Sequence, residues 1–119
     1  MRKIISGLAA TLALGTLVTG ADAHARLIKS DPRAGTTVHA PGTLKLWFSE
    51  TIVGDKSSVK LLGRSGLIGV GKAVVDRNNP RAVTVQLPHR LEPGPYKLNW
   101  TMTTDDTHTM DGNFSFKVR

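Results

Sequence analysis

Apolar residues recur at alternate positions in short runs along this chain, and no segment sustains a helical period. Leu44, Leu46 and Phe48 form one such run, and Val83, Val85 and Leu87 a second. Tyr96, Leu98, Trp100 and Met102 form a third, and Phe114, Phe116 and Val118 close the chain. Successive side chains of a strand point to opposite faces, so each run predicts a strand with one buried face. Trp47 has the opposite parity to its neighbours and is expected on the other side of its strand. Further strands are predicted at Ala25 to Lys29, closed by Ser30-Asp31-Pro32, at Val59 to Leu62 and at Lys72 to Val75. Gly63 to Gly71 is glycine-rich and reads as a turn, and Asp76-Arg77-Asn78-Asn79-Pro80 reads as a loop. About seven short strands at this spacing predict an all-β sandwich or barrel. Leu91-Glu92-Pro93-Gly94-Pro95-Tyr96 predicts a tyrosine corner, in which the Tyr hydroxyl folds back onto the preceding backbone. Trp100 shares the parity of Tyr96 and is expected in the core.

The start of the chain follows a different pattern. Arg2 and Lys3 precede a largely apolar run from Ile4 to Gly20, and Ala21-Asp22-Ala23 supplies a small-x-small cleavage site. These parts make a secretory signal at residues 1–23, leaving a domain over residues 24–119. The alternative is an uncleaved anchor, but the run is broken by Gly7 and Gly15 and falls short of the ~20 residues of a typical span. Cleavage after Ala23 would make His24 the first residue, with a free α-amine beside its imidazole.

Charge and cysteine count narrow the chemistry. The formal net charge is +7, but Lys29, Arg33, Lys45, Lys56, Lys60 and Arg64 are scattered and form no basic run. Nucleic acid is therefore not an expected partner. There are no cysteines, so thiolate metal sites and cysteine nucleophiles are excluded. No G-x-S-x-G element is present to build a serine nucleophile elbow.

The remaining chemistry lies in histidine and carboxylate. An N-terminal His24 offers an amine and Nδ1 that can close a chelate ring on one ion. Asp106 and His108 form a D-x-H pair, and on an extended strand both would face the same way. Amine, two imidazoles and a carboxylate are donors that Cu(II) accepts in a tetragonal arrangement, and the nitrogen-rich set disfavours Ca²⁺ and Mg²⁺. Asp105 is adjacent, but its strand parity opposes that of His108. His39 and His89 read as exposed loop residues without a paired ligand. Met102 has core parity, and Met110 reads as packing although it follows His108 closely.

The same residues carry a family resemblance. His24-Ala25-Arg26-Leu27, Ser30-Asp31-Pro32, Leu46-Trp47-Phe48-Ser49-Glu50, Pro93-Gly94-Pro95-Tyr96 with Trp100, Asp106-Thr107-His108 and Gly112-Asn113-Phe114-Ser115-Phe116 occur in the order seen in one family. On these motifs the chain resembles the CopC family of periplasmic copper-binding proteins. The resemblance implies a Greek-key, immunoglobulin-like β-sandwich holding one Cu(II) at one end. It implies His24, Asp106 and His108 as ligands, with Glu50 as an outer or weak axial contact. It also implies a copper resistance role in the periplasm and an inner-membrane partner of the CopD type. Thr107 stands where the family commonly has Gly. Some members add a Met-rich Cu(I) site, which the few methionines here do not predict. The protein is expected to be a monomer and not an enzyme.

Two other readings stay open at this level. A terminal His with a second imidazole also occurs in the copper brace of polysaccharide mono-oxygenases. The small domain, its few aromatic residues and a carboxylate on the metal oppose that reading. A metal-free immunoglobulin-like scaffold is the other reading, and it predicts no stabilisation by copper.

Overall fold

In the computed structural model, which describes residues 26–119, the alternating runs become strands of two packed sheets. Residues 1–23, expected from sequence to form a signal, and His24 lie outside the described residues. In chain order the strands are β1 (Leu27–Asp31), β2 (Thr37–Val38), β3 (Thr43–Phe48), β4 (Ser58–Gly63) and β5 (Gly66–Ile68). They continue with β6 (Val74–Asp76), β7 (Asn79–Gln86), β8 (Gly94–Thr103) and β9 (Thr109–Val118). One sheet has the order β1-β3-β7-β6 and the other β2-β9-β8-β4-β5. The chain passes repeatedly between the sheets, so sequence neighbours such as β3 and β4 lie in different layers. This is the all-β sandwich that the alternation predicts.

The core lies between the layers and is built from the predicted parities. Leu44, Leu46 and Phe48 of β3 and Val83 and Val85 of β7 face Leu61, Leu98, Trp100, Met102, Phe116 and Val118 of the other sheet. Phe48 and Trp100 meet edge-to-face across the layers, with centroids 5.0 Å apart. Such a pair adds about 0.5–1.5 kcal/mol beyond its area burial. Trp47 stands on the outer face, with Lys29 Nζ 4.4 Å and Lys45 Nζ 5.1 Å from its ring centroid. The Tyr96 hydroxyl donates to the Glu92 carbonyl at 2.6 Å, closing the tyrosine corner.

The strand count corrects the expectation of about seven. Strand β2 has two residues and pairs in parallel with β9, too short to show alternation. Strand β5 lies inside the glycine-rich segment read as a turn, because Gly63 and Gly66 close a hairpin and Gly66 adopts φ +119°. The segment read as a loop at Asp76–Pro80 is also shorter than expected. The Asp76 carboxylate accepts the Asn78 amide at 2.9 Å, turning the chain so sharply that β7 already begins at Asn79.

Strands β8 and β9 form the longest ladder, running in register from Gly94↔Val118 to Thr103↔Thr109. Tyr96 lies near one end of that ladder. The loop with Asp106 and His108 caps the other.

Candidate metal centre

Three segments converge at the tip of the β8–β9 ladder. The first is the loop Thr104 to His108. The second is the stretch Ser49 to Val53 that leaves β3. The third is the chain entering β1 at Arg26. Backbone hydrogen bonds join the first two: Val53 N–H donates to Thr103 O at 2.8 Å, and Asp105 N–H to Thr51 O at 3.3 Å. Ile52 and Thr104 form an isolated antiparallel bridge. The entry to β1 is fastened to the same stretch, since Ser49 N–H donates to Arg26 O at 2.9 Å and Arg26 N–H to Ser49 Oγ at 2.8 Å.

The structure brings Asp106 and His108 together, though not as neighbours on a strand. Both lie in a turn, and the parity argument therefore does not apply to them. Thr104 N–H donates to His108 O and Thr107 N–H to Thr104 O, each at 2.9 Å. The reversal needs a left-handed residue, and Thr107 supplies it with φ +71°. Few non-glycine residues adopt this region, and β-branched ones are strained there.

Within the turn, Asp106 Oδ2 lies 3.1 Å from His108 Nδ1, and both side chains are about half exposed. Asp106 Oδ1 accepts the Thr104 hydroxyl and faces His108 N–H at 3.4 Å. These contacts hold the Asp106 carboxyl down at about 2, the Thr104 hydrogen bond contributing most and His108 next. A carboxylate so stabilised is anionic throughout the neutral range.

Sequence parity set Asp105 aside, yet the turn returns it to the site. Carboxylate oxygens of Glu50, Asp105 and Asp106 lie within 4.8 Å of one another. Glu50 is half-buried, and the two aspartates are exposed. Like charges this close repel, and a cation among them would relieve that repulsion. Thr104 was not singled out from sequence either. No sequence signal marked it, because its bond to Asp106 joins two side chains and depends on the turn that brings them together.

The other candidates lie elsewhere. His39 and His89 are exposed and distant in sequence from the loop. Met102 is fully buried, and Met110, its partner across the ladder, packs partly buried against the core. Among the described residues no helix is long and apolar enough to cross a membrane.

Comparison with known proteins agrees with this architecture. Residues 27–119 match the model of the CopC domain family. The chain is 33% identical over 114 residues to copper resistance protein C of Pseudomonas syringae pv. tomato, covering 90% of each chain. It superposes with a TM-score of 0.74 on PcoC, a methionine-rich copper resistance protein from Escherichia coli. That match has 29% identity and covers 82% of this chain and 100% of PcoC. CopC from Methylosinus trichosporium OB3b gives a TM-score of 0.73 at 28% identity, covering 80% of this chain and 93% of that one. The Pseudomonas and Escherichia relatives are copper resistance proteins by name, and this chain belongs to the CopC family.

Proposed function

We propose that this protein captures one Cu(II) ion outside the cytoplasm, at the tip of the β8–β9 ladder, and serves copper resistance as a carrier or buffer. Asp106 and His108 bind the cargo directly. His24 completes the set through its α-amine and imidazole once residues 1–23 have been removed. Glu50 contributes as an outer or weak axial contact, with Asp105 adding negative charge nearby.

The observation that carries this reading is the pairing of Asp106 with His108 at 3.1 Å beside the Glu50 carboxylate. The donor chemistry fits: imidazole and carboxylate suit Cu(II), and the ionised Asp106 presents little proton competition. The reach fits as well. Arg26 is fastened to Ser49, next to Glu50. Two residues of extended chain span at most ~7 Å, so His24 can lie no further than that from Arg26.

The two methionines at hand, Met102 and Met110, serve packing, so the proposal contains no Met-rich Cu(I) site. The protein acts as a periplasmic monomer after export and passes copper to a membrane protein of the CopD type. A mono-oxygenase role is disfavoured, because a carboxylate such as Asp106 on copper would take up a position that oxygen activation needs open.

Cu(II) titration followed by electron paramagnetic resonance tests the reading. One form of the protein begins at His24, and a second carries one extra residue before it. A tight one-to-one tetragonal signal with nitrogen couplings is expected from the first form only. Equal binding by both would remove the amine from the ligand set. Binding by neither, with a melting temperature unmoved by excess copper, would favour a metal-free sandwich.

A further inference from the structure

Asp106 occupies an electrostatically awkward position, because its carboxylate lies within 4.8 Å of those of Glu50 and Asp105. An exposed aspartate under such repulsion would ordinarily turn away into solvent. What opposes this is Thr104, which is only 2% exposed although it stands beside half-exposed loop residues. Its backbone is fixed twice, by the bridge to Ile52 and by the N–H bond to His108 O at 2.9 Å. Its hydroxyl has one proton and two acceptors in reach, Asp106 Oδ1 and His108 O at 3.2 Å. The carboxylate is the stronger acceptor because it is charged, and the His108 carbonyl is already served by the Thr104 amide.

From this geometry we infer that Thr104 is a positioning residue for the metal centre. Its buried hydroxyl pins Oδ1 of Asp106 and so turns Oδ2 toward His108, where the cargo ion binds. The role rests on the copper-binding reading above and adds a residue that does not itself touch the ion. Groups that orient metal ligands in this way affect affinity by about 10- to 100-fold when removed. Asp106 is thereby set before copper arrives, and the ion need not order it.

The test uses the protein beginning at His24 and three variants. Thr104→Val and Thr104→Ala both delete the hydroxyl, one filling the space and the other leaving it. Thr104→Ser keeps it. Cu(II) affinity is expected to fall about 10- to 100-fold in the valine and alanine forms and to return in the serine form. The copper resonance parameters should shift in the first two and match wild type in the third. In the metal-free protein, the Asp106 Hα–Hβ couplings should average over rotamers without the hydroxyl and report a single rotamer with it. Wild-type affinity in Thr104→Val and Thr104→Ala, beside lost binding in Asp106→Ala, would overturn the role of Thr104 alone. Absence of copper binding in wild type would instead overturn the proposed function and this inference with it.

Discussion

Trp100 covers the backbone of Gly112, the residue facing it across the β8–β9 ladder. A β-carbon on Gly112 would stand 2.4 Å from Trp100 Cζ2 and 2.8 Å from Cε2. No side chain fits there while the indole holds its place against Phe48. Gly112→Ala is therefore expected to destabilise the protein by about 2 kcal/mol, in the range of overpacked cores. Urea unfolding should show a lower midpoint, with tryptophan emission altered in the folded state. An unchanged midpoint would mean that the indole moves aside at little cost.

Thr107 presents the opposite case. Its φ of +71° places a β-branched residue where glycine is at ease. Thr107→Gly should stabilise the metal-free protein by about 1 kcal/mol, the relieved strain exceeding the added freedom of the unfolded chain. Thr107→Val keeps the branch and should gain nothing. The paired comparison in denaturant separates strain from hydroxyl effects.

At the other end of β8, the Tyr96 hydroxyl donates to Glu92 O at 2.6 Å. Tyr96→Phe removes the donor and keeps the ring stacked on Phe116, at a centroid distance of 5.7 Å. A loss of about 1 kcal/mol is expected, with Cu(II) affinity unchanged. A change in affinity would reveal coupling along the strand.

The acid limb of stability should report on two aspartates. Asp106 titrates at about 2 in the folded protein against an ordinary 3.8, because of the Thr104 hydroxyl and His108. Asp76 is also lowered, chiefly by the Asn78 amide and then by Lys45. A group with a depressed folded value binds protons more readily when unfolded, so its contribution is complete above the ordinary value. For Asp106 that contribution is lost as pH falls from about 4 toward 2. Asp106→Asn is expected to flatten this part of the stability curve in the metal-free protein, and Asp76→Asn to flatten it further. An acid limb as steep as wild type in the double variant would assign the loss to other carboxylates.

The buried faces were legible in the chain because alternation is a local signal. Leu44, Leu46, Phe48, Leu98 and Trp100 fall inside by parity alone, and Trp47 falls outside. Strands β2 and β5 were not legible, since their existence depends on partners: β9 supplies the ladder for Thr37 and Val38. The residue types of the candidate metal centre could be read from the chain, but their arrangement could not. Parity pairs Asp106 with His108 and dismisses Asp105, whereas the loop is a turn where parity has no meaning. The places of Asp105 and Thr104 beside Asp106 follow from Thr107 reversing the chain, and a sequence does not announce a β-branched residue in a left-handed conformation.

The hydrogen bonds that shape the Thr104–His108 turn are closed mainly within the turn and against the stretch from Thr51 to Val53. Most of the interior lies outside those bonds, and Ile52, a core residue bridged to Thr104, is the link between tip and sandwich. Side chains of the exposed loop residues Asp105, Asp106 and His108 can then change with little demand on the packed layers. A lineage could pass through several loop chemistries on one inherited scaffold, and its members would diverge in cargo handling long before they diverge in architecture.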